Sequence, residues 1–79
     1  MSIDNAIKQI QLTIKATSVG SEIKVVKISE EEARISVYAP PGDIPSIKDA
    51  TFQPVLDLLI EGLDVQVFVY DKNNPIATA

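Results

Sequence analysis

Strict alternation of apolar and polar positions predicts two strands, over residues 33–39 and 64–70. Successive side chains of a strand point to opposite faces, so every second position marks the buried face. The inward set is Ala33, Ile35, Val37, Ala39, Val65, Val67 and Val69. These two strands are expected to share one hydrophobic core.

The same alternation sends three of the four aromatic rings to the opposite face of the sheet. These rings are Tyr38, Phe68 and Tyr70, and Arg34 and Gln66 lie on that face with them. Large rings are costly to leave in water, so an open sheet face that carries them is expected to meet another surface. The sequence therefore predicts an interaction surface made of these five residues.

A third strand is predicted over residues 22–28, which are rich in β-branched side chains. Its apolar positions change parity between Val25 and Val26, which predicts either a bulge or a strand partly covered on both faces. Residues 29–32 form a turn, so this strand and the strand over 33–39 are expected to pair as a hairpin.

The first segment carries two conflicting patterns. Residues 10–17 alternate strictly, which is typical of a strand. A helix accounts for the whole segment, with Ser2 as its N-cap and an end near Gly20. We prefer the helix, because four isoleucines recur at helical spacing: Ile3, Ile7, Ile10 and Ile14.

A rigid loop is predicted over residues 40–45, where three prolines and Gly42 stop the preceding strand. A short helical turn follows over residues 46–50, capped by Ser46. A second helix then begins at Thr51 with Pro54 in its first turn, and ends at Gly62. Its predicted buried stripe is Phe52, Val55, Leu56, Leu59, Ile60 and Leu63.

The layout is a single α+β domain over residues 1–79, with 71–79 as a flexible tail. The element order is α-β-β-α-β. It predicts a two-layer sandwich in which a three-stranded mixed sheet carries both helices on one face. The last strand runs parallel to the second through a right-handed crossover. Whether it lies beside the first or the second strand stays open, and the rings form one patch only beside the second.

Composition narrows the chemistry that the chain can perform. The chain has no Cys, His or Trp, so thiolate nucleophiles, disulfides and the commonest zinc ligands are absent from it. Asp43, Asp49 and Asp57 are the remaining candidates for a cation site, and their spacing matches no metal-binding motif. We expect no enzyme activity, no cofactor and no metal.

Charge and hydropathy indicate the surroundings of the protein. The formal net charge is −4, and the seven basic residues are spread along the chain, which makes nucleic acid an unlikely partner. The chain shows no signal peptide and no apolar run of the roughly 20 residues that a membrane span needs. The sequence predicts a soluble cytoplasmic protein that does not bind membranes.

Over residues 3–70 the order of elements resembles the C-terminal domain of NifU-type iron–sulfur scaffold proteins. The similar residues are the run from Gly20 to Ile28 and the pair Pro45-Ser46. In that family two cysteines hold the cluster, and Pro41 and Ile44 stand at those positions. The resemblance implies the fold, and cluster carriage does not follow from it.

Type II KH domains are a second family that the chain resembles. Pro41-Gly42 is similar to the Pro-Gly that often precedes the Gly-x-x-Gly loop of that family. The loop aligns with residues 46–49, where both glycines are missing and Asp49 brings a negative charge to the RNA-binding position.

These patterns together predict a non-catalytic interaction or assembly module. Its partner is expected to be a second copy of the chain, forming a dimer, or an unidentified protein that docks on the aromatic sheet face. The alternative is a degenerate KH-like or RRM-like domain that binds single-stranded nucleic acid, because such domains stack bases on exposed rings.

Overall fold

Two helices cover one face of a four-stranded sheet in the computed structural model, which describes residues 1–78 and the side chains of residues 1–73. The predicted α+β fold and its α-β-β-α-β order are confirmed, and a fourth strand extends the sheet. The elements are α1 (Ile3–Thr17), β1 (Glu22–Lys27), β2 (Glu32–Ala39), a 3-10 turn (Pro41–Asp43), α2 (Ile44–Ile60), β3 (Asp64–Asp71) and β4 (Asn74–Thr78).

The strands lie in the order β1-β2-β3-β4, so β3 lies beside β2. β1 pairs antiparallel with β2, β2 pairs parallel with β3, and β3 pairs antiparallel with β4. Residues 74–78, which the sequence placed in a turn and tail, pair instead with the backbone groups along the free edge of β3. The predicted tail also includes residue 79, which lies outside the described residues.

The first segment is a helix, as preferred from the sequence. Ser2 caps it by accepting a hydrogen bond at Oγ from the backbone N–H of Asn5, at 3.2 Å. The strand alternative is excluded because all four isoleucines at helical spacing are buried in one cluster with the sheet: Ile3, Ile7, Ile10 and Ile14.

The bulge predicted in the first strand is absent. The pairing of β1 with β2 is continuous from Glu22 to Lys27. Ile23 and Val25 pack against the core, whereas Val26 is exposed on the outer face of the sheet. The change of parity in the sequence therefore marks an apolar side chain left in solvent, with no extra residue in the strand.

Residues 44–60 form one continuous helix, where the sequence predicted a loop, a short turn and a separate helix. Pro45 occupies the first turn of α2, where a missing N–H is tolerated, and Pro54 lies inside the helix. Thr51, predicted as an N-cap, is buried in mid-helix and donates its hydroxyl proton to the carbonyl of Ile47, with 2.8 Å between the oxygens.

The predicted buried stripe of the second helix is wrong at most positions. Leu63 is buried just beyond α2 and Val55 is half-buried, but Phe52, Leu56, Leu59 and Ile60 are exposed. The buried side of the helix was misassigned because Ile44 and Ile47 also belong to α2 and extend a different apolar stripe. That stripe packs against the sheet and α1, and its members are Ile44, Ile47, Thr51 and Leu58.

Gly62 ends α2 in the left-handed backbone region, with φ at 89°. The N–H of Leu63 donates to the carbonyl of Leu58 at 2.9 Å, and the N–H of Gly62 donates to that of Leu59 at 3.0 Å. This is the Schellman arrangement, in which the two residues joined by the bond that spans more residues, here Leu58 and Leu63, are apolar and pack together. Leu58 and Leu63 are both buried, as the arrangement requires.

We expect Gly62→Ala to lower the free energy of unfolding by about 1 kcal/mol, because an L-residue is strained at this φ. A Cβ at Gly62 would meet no atom within 4 Å, so the cost is a backbone cost alone. Gly42→Ala is the matched control, since its Cβ would also be unobstructed and its φ is not positive. Urea denaturation measures both, and equal stabilities would contradict the assignment of this cap.

Candidate functional site

The outer face of the sheet brings the five residues of the predicted interaction surface together. Tyr38 lies opposite Tyr70 across the β2–β3 pair, and Arg34 lies opposite Gln66. Phe68 lies between these two rows, opposite Ser36. Because β3 neighbours β2, the three rings belong to one patch on the face turned away from the helices. We call this surface the aromatic face.

Tyr38 and Tyr70 stack on each other, with 5.3 Å between ring centroids and 22° between ring planes. Such pairs contribute about 0.5–1.5 kcal/mol beyond the area they bury. Both tyrosines are half-buried, and Phe68 retains 38% of its accessible surface. The sequence placed the rings on this face but gave no indication that two of them cover each other.

Two cations lie against the rings. The Nζ of Lys24 is 5.7 Å from the centroid of Tyr38, and the guanidinium carbon of Arg34 is 5.8 Å from that of Phe68. At exposed sites a cation over a ring contributes about 0.5–1 kcal/mol. Lys24 was not among the residues predicted for this surface, although its position opposite Ser36 puts it on the same face.

Charge is separated between the two ends of the aromatic face. At one end the side-chain amide of Gln66 donates to Glu32 and to Asp64, each at 3.3 Å. At the other end Lys24 and Lys72 line a shallow depression of about 350 Å³, together with Tyr38 and Glu22. The first end therefore carries two carboxylates next to Arg34, and the second carries two lysines against one glutamate beside Tyr38, which is a small positive excess.

A second apolar surface lies on α2, where the sequence predicted core. Phe52, Leu56, Leu59 and Ile60 are exposed along one side of the helix. Three of them, Phe52, Leu56 and Leu59, also line an open groove of about 360 Å³, together with Val67 and Val69 of β3. The sequence could have indicated this surface, because the apolar residues of 44–60 extend too far around the helix to be buried on one face.

Within the described part of the chain, no three acidic side chains lie close enough to hold a metal ion, and each buried side-chain nitrogen or oxygen has a hydrogen-bond partner. Asp43 accepts a hydrogen bond from the hydroxyl of Ser18 at 2.7 Å, and Asp57 accepts one from the amide of Gln53 at 2.8 Å. These carboxylates support the ends and surface of α2.

The hydrogen bond from Lys27 to Glu30 raises the pKa of the lysine, and the charge of Asp4 adds to the effect. The Nζ of Lys27 lies 3.2 Å from Glu30 and 3.5 Å from Asp4. All three side chains are exposed enough for salt to screen them. This cluster tethers the start of α1 to the hairpin.

Of the residues that carry the family resemblances, the run from Gly20 to Ile28 contains β1, and the others lie in α2 and in the 3-10 turn before it. Ile44 is buried in the core, and residues 46–49 are helical rather than a loop. Neither helix of the described chain has the length and hydropathy that crossing a membrane requires. In comparisons with known proteins, no family model, no curated protein and no solved structure matches this chain.

Proposed function

We propose that this chain is a non-catalytic assembly module that binds a second copy of itself through the aromatic face. The observation that carries the proposal is the single patch of three rings on the face opposite the helices. The accessible surface of 4695 Å² equals the roughly 4,700 Å² expected for a compact monomer of this mass. The chain is therefore as compact as an ordinary monomer of its size.

The difference in charge between the two ends favours a second copy as the occupant. When two aromatic faces meet with their strands antiparallel, the acidic end of each face lies over the basic end of the other. Glu32 and Asp64 of one copy then approach Tyr38 and Tyr70 of the other, whose hydroxyls can donate to the carboxylates. The two ends are roughly 20 Å apart along the strand, so the charges also fix the orientation.

The hydrophobic contribution comes mainly from side chains that are still in contact with water. Phe68 is the most exposed of the three rings, and Val26 is exposed on the same face. Burying a fully exposed side chain contributes about 1.5–3 kcal/mol, and Phe68 and Val26, which retain 38% and 58% of their surface, would each contribute roughly half of that. The stacked tyrosines contribute less, because their inner surfaces are already covered.

We expect Phe68→Ser combined with Tyr70→Ser to break this dimer while the fold is retained, because both side chains lie outside the core. Light scattering over a concentration series measures the mass, and far-UV circular dichroism checks the fold. Leu12→Ser combined with Val19→Ser is the matched control, since it removes two exposed apolar side chains elsewhere. If the Phe68/Tyr70 variant unfolds, the rings belong to the core and the proposal fails.

Single-stranded nucleic acid is the second candidate, favoured by the two cations that lie over rings. It ranks lower because Tyr38 and Tyr70 cover each other, which leaves fewer ring faces for bases. Glu22, Glu32 and Asp64 also share the surface and repel phosphate. Anisotropy titration with labelled oligonucleotides at low salt tests it, and tight binding with a steep salt dependence would replace self-association as the proposed function.

A further inference from the structure

The exposed side of α2 carries a band of apolar residues that the aromatic face does not include. Phe52 and Ile60 retain 69% and 77% of their accessible surface, and Leu56 and Leu59 are exposed between them. We call these four residues the helix face. Phe52, Leu56 and Ile60 follow one another at intervals of four residues, so they form one row along about two turns of the helix.

The groove between α2 and β3 lies on one side of this row. Its lining includes Val55 and Leu59, which lie three residues after Phe52 and Leu56, and Val67 of the sheet. Its volume is about 360 Å³. Because an apolar cavity of about 150 Å³ accommodates a benzene molecule, the groove has room for two large apolar side chains of a partner.

A line of polar residues lies on the other side of the row. Its members are exposed and again lie four residues apart: Asp49, Gln53, Asp57 and Glu61. The first three each lie three residues before a member of the apolar row, which makes the two lines neighbours on the helix surface. The amide of Gln53 donates to Asp57 at 2.8 Å, so successive members of the polar line are in contact. The helix face therefore has a groove along one border and carboxylates along the other.

The charge of this region is one-sided. Between residues 48 and 72 the chain has no lysine or arginine, and it has five carboxylates: Asp49, Asp57, Glu61, Asp64 and Asp71. Within the described part of the chain, Asp57 and Glu61 form no ion pair. They also lie at the C-terminal end of α2, where the helix dipole adds negative potential. Lys48 lines the groove near the other end of the helix, so the negative potential is strongest toward the end of α2.

The groove suits a helix better than an extended segment. Extended segments dock by hydrogen bonding to the exposed backbone of a sheet edge. Val65 and Val69, on either side of Val67 in β3, are buried as whole residues, so they offer no backbone to a partner. What the site presents is side chains in rows four residues apart, and the side-chain ridges of a second helix pack between such rows.

We propose that the helix face binds an amphipathic helix of another protein, with lysine or arginine along the border of its apolar side. Its apolar side chains cover the row and enter the groove, and its cations pair with Asp57 and Glu61 near the end of α2. The α2 helix of a second copy would instead bring carboxylates to carboxylates. Anionic membranes are disfavoured for the same reason. The inference is separate from self-association, because the helix face shares no residue with the aromatic face.

Fluorescence anisotropy with three labelled peptides of about 16 residues, long enough to form a helix, tests the chemistry of the partner. The basic peptide has leucines on one side of a helix and lysines along the border. The acidic peptide has glutamate in place of each lysine, and the scrambled peptide has the basic composition with leucines spread around the helix. At low salt the basic peptide should bind about tenfold more tightly than either of the others. No binding of the basic peptide, or equal binding of the scrambled one, overturns the proposal.

Two variants of the protein locate the binding site. Phe52→Ser combined with Ile60→Ser should weaken binding of the basic peptide by more than about tenfold, because it removes apolar contacts. Asp49→Asn, Asp57→Asn and Glu61→Gln together should weaken it by about tenfold at low salt and flatten its salt dependence. Far-UV circular dichroism checks the fold of each variant. Unchanged binding by either one contradicts the proposed site.

A matched control separates this site from the overall negative charge. Asp4→Asn, Glu30→Gln and Glu31→Gln remove three exposed carboxylates elsewhere, and this variant should bind the basic peptide as the wild type does. If it weakens binding as much as the changes on α2, the attraction is non-specific and the proposal fails. Phe68→Ser combined with Tyr70→Ser should also leave peptide binding unchanged. Its mass in light scattering tests the proposed function, so either proposal can fail without the other.

Two other occupants of the helix face are outcomes of the same experiments. If no peptide binds and Phe52→Ser/Ile60→Ser lowers the mass of the chain alone in light scattering, a second copy covers this surface. If no peptide binds and that variant instead abolishes binding of the chain to phosphatidylcholine vesicles, the surface contacts a membrane. Either result overturns the proposal of a basic helical partner.

Discussion

Replacing Leu58 with alanine is expected to lower the free energy of unfolding by about 2–5 kcal/mol, the usual cost of truncating a packed leucine. Leu58 retains only 4% of its accessible surface. Its carbonyl accepts the hydrogen bond from Leu63 in the Schellman arrangement at the end of α2. The cost arises from lost burial and from the cavity that neighbouring side chains cannot fill. Urea denaturation followed by circular dichroism measures it.

Leu59→Ala is the matched control, since the two leucines are adjacent and Leu59 retains 54% of its surface. We expect a change within about 0.5 kcal/mol for the monomer, as for most surface substitutions. Both variants should be measured at two protein concentrations. The deficit of Leu58→Ala should be the same at both, whereas a deficit that grows with concentration for Leu59→Ala would come from lost association. If Leu58→Ala and Leu59→Ala lowered the free energy of unfolding equally at low protein concentration, the burial of Leu58 and the exposure of Leu59 would be contradicted.

The first three strands and the first helix were predictable because their patterns depend on local geometry, whereas β4 was assigned to the tail. Alternation assigned the buried positions of β2 correctly, from Ala33 to Ala39. Spacing of isoleucines and the Ser2 cap identified α1. In β2 one period dominates, and in α1 the helical spacing extends over the whole segment, whereas alternation covers only residues 10–17. The buried side chains of both elements belong to the same core.

The second helix was less predictable because two of its features oppose each other in the sequence. Pro54 suggests a helix that starts at Thr51, whereas α2 begins at Ile44, seven residues earlier, and buries Ile44 and Ile47. The apolar residues then cover more than half of its circumference, and periodicity alone cannot select the buried side. Packing against α1 and β3 selects it, and that information is not local.

The candidate site was predictable as a set of positions and not as an arrangement. Alternation placed Tyr38, Phe68 and Tyr70 on one face, but the choice of β2 as the neighbour of β3 was needed to bring them together. The stack of the two tyrosines and the position of Lys24 depend on that pairing. The exposed side of α2 was not predicted, because Phe52, Leu56, Leu59 and Ile60 were assigned to the core.

The two surfaces suggest how a chain of this size uses its apolar residues. Two helices cover one side of the sheet, and the opposite side and the outer side of α2 remain in contact with solvent. A chain of 79 residues buries only about 60% of the surface that its unfolded form exposes. Association through the remaining apolar surface would stabilise the fold by mass action.

The inner face of the sheet provides the second large effect, because Ile35→Ala is expected to cost about 2–5 kcal/mol. Ile35 is fully buried at the centre of β2, between Val25 of β1 and Val67 of β3. A chain of this length has a total stability of roughly 4–12 kcal/mol, so the variant would lose a large share of it. Thermal and urea denaturation should both show the loss.

Ser36→Ala is the control, since it changes the next residue of the same strand on the outer face and should cost no more than about 0.5 kcal/mol. This pair of variants connects the fold to the proposed function. The aromatic face is open only if Ile35 points into the core, because Tyr38 lies three positions further on and therefore on the opposite side. A cost below about 1 kcal/mol for Ile35→Ala would place the core on the other face, and the rings would then stabilise the monomer instead of binding a second copy.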